Sequence, residues 1–180
     1  DAALGPQACA DLMRRAGLGA HHARPPQQMV DERDVRALHE TLRAALGVGP
    51  ARALGRAAGL ATGDYLLAHR IPPVARGLLP RLPAGLAARL LLAAVSRHAW
   101  TFCGSGRFEV LRAGAGQALR VSLCGSATSV GARSNEPLCD YFAATFERLF
   151  QSLVHPRTRV VETACMAMGA PSCVFEIRGP

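Results

Sequence analysis

Arg159–Ile177 reads RVVETACMAMGAPSCVFEI. Two short runs of β-branched and aromatic residues, RVVETA and CVFEI, flank the knuckle MAMGAPS, which predicts an antiparallel hairpin. Glu162 stands three positions before Cys165, and Cys173 follows eight positions later. The two cysteines have three readings at this point: metal ligands, halves of a disulfide, or small residues in a turn.

Working back from the knuckle, Cys139 opens a helix predicted over about 137–154. Before it, RFEVLRA and ALRVSLC alternate in the same way, joined by GAGQ, and predict a first hairpin. The N-terminal half is helical in pattern. In DERDVRALHETLRAALG, Val35, Leu38, Leu42 and Leu46 form one stripe, with acidic residues in the first turn and Gly47 as the stop. A second helix is expected over roughly 51–69, and IPPVARGLLPRLP is a proline-broken connection. A third helix, over about 84–102, is apolar nearly all round in its first half and is expected to be buried. The order helices, hairpin, helix, hairpin predicts an α+β fold with an antiparallel sheet of about four strands. Residues 1–30 read as a loosely ordered arm, and 31–180 as a single domain.

Composition narrows the function classes. The chain has 180 residues, 49% of them hydrophobic and 19% charged, which suits one globular core. Its net charge is +8 and every basic residue is arginine. Without lysine there is no Schiff-base or P-loop lysine chemistry. The arginines are scattered along the sequence, so nucleic-acid binding is not expected. The longest apolar stretch, GLAARLLLAAV, contains Arg89 and falls short of the about 18 residues a membrane span needs. No transmembrane segment is expected, and only peripheral membrane contact is left open. With no apolar stretch after Arg14 and Arg15 to make a secretory signal, the expected compartment is the cytoplasm. The chain begins without Met, so a removed leader stays open.

Several motifs have plain readings. GAGQAL lacks the third glycine of a dinucleotide fingerprint and precedes a strand, so it is a hairpin turn. The pair His21–His22 reads as solvated tail. The six cysteines are not expected to form a disulfide framework in a reducing compartment. Cys9, Cys103 and Cys124 are expected to be unpaired. Cys139, Glu162, Cys165 and Cys173 offer three thiolates and a carboxylate, which would complete a tetrahedral zinc site, although buried thiols as small apolar fillers remain a reading.

CDYFAATFERLFQSLVHPRTRVVETACMAMGAPSCVFEI resembles the 4-vinyl reductase domain. That family shares its fold with the Golgi-transport TRAPP subunits and the haem nitric-oxide-binding domains, and phenol-sensing transcription activators carry it. In those sensors a cysteine before a helix, a glutamate on the next strand and two knuckle cysteines hold a zinc. The intervals Cys139 to Glu162, Glu162 to Cys165 and Cys165 to Cys173 match without a gap. The resemblance thus implies structural zinc on these four residues, and it is strongest over 105–178. Upstream, RALGRAAGLATGDYLLAHRIP and RHAWTFCGSGRFEV are similar to the bacteriochlorophyll 4-vinyl reductase proteins of photosynthetic purple bacteria.

What the resemblance implies about activity is reduction of a vinyl group on a chlorophyll precursor. Such a reaction needs a hydride or electron source, and the sequence carries no recognisable nicotinamide or flavin motif. The favoured expectation is therefore a protein that binds a chlorophyll-precursor tetrapyrrole and presents it to the enzymes of bacteriochlorophyll synthesis. A vinyl reductase and a ligand-sensing or assembly adaptor are the alternatives. The expected pocket lies between the third helix and the sheet. In it Trp100 would stack on the macrocycle, His98 would ligate its magnesium and Arg97 would pair with a propionate, with Tyr65 and His69 opposite. Self-association through helices is implied by analogy with relatives.

Overall fold

The computed structural model describes residues 4–111 and 118–179. The helices are α1 (Pro6–Arg15), α2 (Gly19–Ala23), α3 (Glu32–Leu46), α4 (Val48–His69), α5 (Pro73–Leu78), α6 (Ala84–Arg97), α7 (Trp100–Cys103) and α8 (Asp140–Leu153). The strands are β1 (Arg107–Leu111), β2 (Leu119–Cys124), β3 (Arg159–Ala164) and β4 (Cys173–Arg178). The fold is α+β with a four-stranded sheet, as the pattern predicts. Strand order is β1-β2-β4-β3 and every pairing is antiparallel. The expected GAGQ turn lies outside the described residues.

Alternation on β4 sets the core. Cys173, Phe175 and Ile177 are buried, while Val174 and Glu176 between them are less so. Their partners across the ladders are Leu123 and Val121 on β2 and Val160 on β3, all buried as well. Directly opposed residues share a face, so one side of the sheet is apolar and meets α8. There Phe146 packs edge-on against Phe175, with ring centroids 5.6 Å apart.

The far side of α8 is covered by α4, the most extensive helix–helix contact in the molecule. Gly55, Gly59 and Gly63 recur every fourth residue on α4 and are all buried. At Gly59 a Cβ would sit 2.2 Å from the Tyr141 carbonyl oxygen, and at Gly63 it would sit 2.6 Å from the Arg148 Cβ. The two backbones meet only because these side chains are missing. Thr145 Oγ1 donates to the Gly59 carbonyl at 3.0 Å. Ion pairs Arg52–Asp140 (2.7 Å) and Arg56–Glu147 (2.6 Å) bind the helices at their flanks. Glu147 is buried and also accepts the Val160 N–H at 3.0 Å, tying β3 to α8.

Two expectations differ from the structure. Residues 1–30 are not wholly an arm: α1 and α2 form within them, and Leu12 and Leu18 are buried. These helices gain their stability from packing on each other and, for α1, on α3, a tertiary effect that a local pattern does not register. The helix expected over 84–102 stops at Arg97, restarts as α7, and is not buried all round. Leu86 and Leu90 are 46% and 47% exposed. Its sequence is apolar on two faces, but among the described residues only one face has a substantial neighbour.

Candidate functional site

Cys139 is the residue immediately before α8. Its carbonyl accepts the Ala143 N–H at 3.1 Å, which starts the helix, and its sulfur lies at the positive end of the helix dipole, where a thiolate is favoured. Cys173 opens β4 on the buried face. Glu162 and Cys165 pose a geometric problem. They are an odd number of residues apart, so on a regular strand they would point to opposite faces. Between them the β3–β4 register slips: Glu162 faces Phe175, yet Ala164 faces Val174. This β-bulge absorbs the extra residue and returns Cys165 to the face of Glu162. A single 3-10 turn, Met166–Met168, then reverses the chain, with Gly169 at φ +90° as its stop.

The four side chains converge. One donor atom from each of Cys139, Glu162, Cys165 and Cys173 lies within 4.8 Å of all the others. Cys139 Sγ is 3.3 Å from Cys173 Sγ, which is 3.9 Å from Cys165 Sγ. None of these cysteines is in a disulfide. Thiolates around a tetrahedral zinc, at about 2.3 Å from it, stand roughly 3.8 Å apart, so the observed spacings suit a shared ion. Glu162 Oε2 accepts the Cys139 N–H at 2.8 Å. Its Oε1 is buried and has no hydrogen-bond partner among the described residues. A buried carboxylate oxygen without a partner is costly, and a cation among the sulfurs would satisfy it. The residues present therefore fit a metal.

Burial pushes the Glu162 carboxyl up to about 8, against the opposing Cys139 N–H. Hydrogen bonds to Cys165 and Cys173, then burial, push the Cys139 thiol far up. Cys165 is driven down by hydrogen bonds from the same two neighbours. Without a cation the cluster thus favours one thiolate, shared among three sulfurs. A divalent ion reverses that preference by coordinating all three as thiolates.

A further set of residues supports these donors, and sequence reading passed over it. The loop GSATSV follows β2. In it Thr128 Oγ1 lies 3.1 Å from Cys139 Sγ, and Ser129 Oγ lies 3.2 Å from Cys173 Sγ. Both residues are buried. Arg43 on α3 donates to the Thr128 carbonyl at 2.9 Å, bringing a positive charge toward the thiolates. Hydroxyls in a loop carry no periodic signal, so only the three-dimensional convergence exposes them. One turn before Arg43, burial and then the Arg43 charge push His39 down to about 4. The unfolded chain takes up a proton near 6.5 that the folded state refuses, so stability falls as pH drops from about 6.5 to 4. The full effect is roughly 3 kcal/mol at 1.36 kcal/mol per pH unit. His39→Gln is expected to flatten that part of the pH profile in urea unfolding, and an unchanged profile would refute it.

The residues expected to bind a ligand sit differently. Tyr65 and His69 stack on each other at 4.7 Å on the exposed side of α4. Arg97 and His98 are exposed at the end of α6, and Trp100 is 64% exposed. No extensive contact joins α4 to α6. The space behind α7 is filled by rings: Phe102 lies 5.7 Å from Phe108 and 6.3 Å from Phe146. An open groove of about 500 Å³ lies elsewhere, between α1 and α3, beside Leu12 and Leu46. No helix among the described residues is long and apolar enough to cross a membrane.

The 4-vinyl reductase domain family matches residues 122–179, which contain the whole cluster. The relationship extends much further. Over 177 residues, 98% of this chain and 83% of the relative, the sequence is 45% identical to the bacteriochlorophyll synthase 23 kDa chain of Cereibacter sphaeroides. The chain belongs to that family. The bacteriochlorophyll synthase 23 kDa chain of Rhodobacter capsulatus is 41% identical over 164 residues, 91% of this chain and 74% of that one. Membership in the 23 kDa-chain family thus includes the N-terminal helices as well as the 4-vinyl reductase domain, and involvement in bacteriochlorophyll synthesis follows. The phenol-responsive sensory domain of the transcription activator PoxR shares the fold, with a TM-score of 0.62 at 15% identity over 84% of this chain and 75% of its own.

Proposed function

We propose that this chain is an accessory protein of bacteriochlorophyll synthesis that binds a chlorophyll-precursor tetrapyrrole, with a structural zinc fastening its C-terminal hairpin to α8. The carrying observation is the buried cluster of three cysteines and one glutamate. Thiolate-rich, four-donor tetrahedral sites are the habit of zinc, and a site closed by four protein donors leaves no position for substrate. The ion therefore cross-links, and Cys139, Glu162, Cys165 and Cys173 would hold it. Kinship to a chain of bacteriochlorophyll synthase supports action beside the synthesis enzymes. The tetrapyrrole would lie on the exposed end of α6 and α7, with Trp100 against its face, His98 toward its magnesium and Arg97 toward a propionate. Tyr65 and His69 offer a second aromatic edge.

Titration with divinyl protochlorophyllide, with and without NADPH, tests this. The expected result is a red-shifted bound pigment, quenched Trp100 emission and an unchanged vinyl group, with His98→Ala altering affinity and spectrum. Tight binding without quenching moves the site away from Trp100, for instance to the α1–α3 groove. Turnover by the purified chain alone would replace the carrier with a reductase. Neither binding nor turnover would leave an adaptor.

A further inference from the structure

Between Asp64 and Glu109 the chain has six arginines and no acidic residue. Five of them, Arg70, Arg76, Arg81, Arg89 and Arg97, are exposed, and none is in an ion pair among the described residues. Elsewhere arginines such as Arg52, Arg56 and Arg148 are held by carboxylates.

The same segment turns large apolar side chains outward. Val74 and Leu78 stand four apart on α5, at 79% and 53% exposed. Leu86 and Leu90 repeat that spacing on α6, and Trp100 follows on α7. On α6 the inward positions are Ala87, Ala88, Leu91 and Leu92. The outward stripe is therefore Leu86, Leu90, Ala93 and Arg97, with Arg89 at its edge. A helix on the surface of a globular protein ordinarily carries polar residues there. Exposed apolar residues rimmed by polar ones mark an interaction surface.

We infer that the outward face of α5–α7 docks on an anionic phospholipid bilayer. Leucine and valine enter the boundary between headgroups and acyl chains, tryptophan sits at that boundary, and arginines meet the lipid phosphates. Charge decides against a second copy of the chain as the occupant. Two such faces brought together would oppose ten arginines with no carboxylate between them. The inference stands apart from the pigment reading, because it rests on the α5 and α6 faces and its test contains no pigment.

The full chain is mixed with vesicles of phosphatidylcholine alone, or of phosphatidylcholine with phosphatidylglycerol. Sedimentation with the anionic vesicles is expected, with a blue shift of Trp100 emission and loss of binding in high salt. Arg89→Gln and Arg97→Gln should each weaken binding about fivefold. Leu86→Gln with Leu90→Gln should weaken it at least about tenfold. Both leucines are half-exposed, so the thermal melt of that variant should match the parent. Equal binding to neutral and anionic vesicles, or no blue shift, would overturn the inference. So would a dimer in light scattering that the double leucine variant dissociates while vesicles are ignored.

Discussion

Cys165→Ala protein is expected to lose its metal and, with it, the packed arrangement of β3, β4 and α8. The wild-type chain should purify without chelator carrying close to one zinc, and the variant only a small fraction of that. Cys165 links the bulged strand to the knuckle, and its sulfur shares the cluster with Cys139 and Cys173. Structural zinc contributes about 10–16 kcal/mol of apparent binding energy in small peptides, against a total domain stability of about 5–15 kcal/mol. Even partial loss of the site is thus comparable to the whole fold. Insolubility of the variant would be ambiguous, so the wild-type protein carries the second test. Chelator should lower its urea midpoint, and zinc should restore it. Soluble, cooperatively folded wild-type protein with no metal, indifferent to chelator, would refute the zinc reading.

Gly59→Ala is the other substitution with a large expected effect, although it adds one methyl group. That methyl would lie 2.2 Å from the Tyr141 carbonyl and 2.9 Å from the Ala144 Cβ. The first of these is backbone of α8 and cannot swing aside, so α4 must withdraw from α8 along its length. A loss of about 3 kcal/mol or more is expected, at the upper end for overpacking. In a chain of this size it lowers the melting temperature by roughly 6–12 °C. Gly49→Ala on the same helix is the control. A Cβ there meets nothing within 4 Å, and higher helix propensity should leave stability equal or raised by up to about 1 kcal/mol. Equal melting temperatures for the two variants would show that the helices are not in backbone contact.

The parts of this structure legible in the sequence are those with a local rule. RVVETA and CVFEI alternate with the period of a half-buried strand, and both became strands of the four-stranded sheet. The cysteines and Glu162 were legible through their intervals, but the intervals do not reveal how they converge. That requires the bulge between Glu162 and Ala164, which no propensity marks. The glycines of α4 read as helix-weakening residues until α8 is placed against them. Leu12 and Leu18 fold α1 and α2 through contacts with other helices, which a scan of residues 1–30 cannot supply. The apolar run of α6 was read as burial because sequence reports hydrophobicity and not which face has a neighbour.

The strand order carries a consequence for how the molecule is made. β4 is central in the sheet, hydrogen-bonded to β2 on one side and β3 on the other, yet it is the last strand in the chain. While a ribosome is extending the polypeptide, the β1–β2 hairpin and β3 have already emerged with open edges and nothing between them. Neither can be joined to the other until β4 arrives and slides into the gap. Cys173 is its first residue, so the ion is sealed at the same moment as the sheet. Until then, the nascent chain is a set of helices with two unpaired strand edges, which are sites for wrong pairings. Protection by a chaperone, or speed in those final steps, is where selection on the yield of this protein would act.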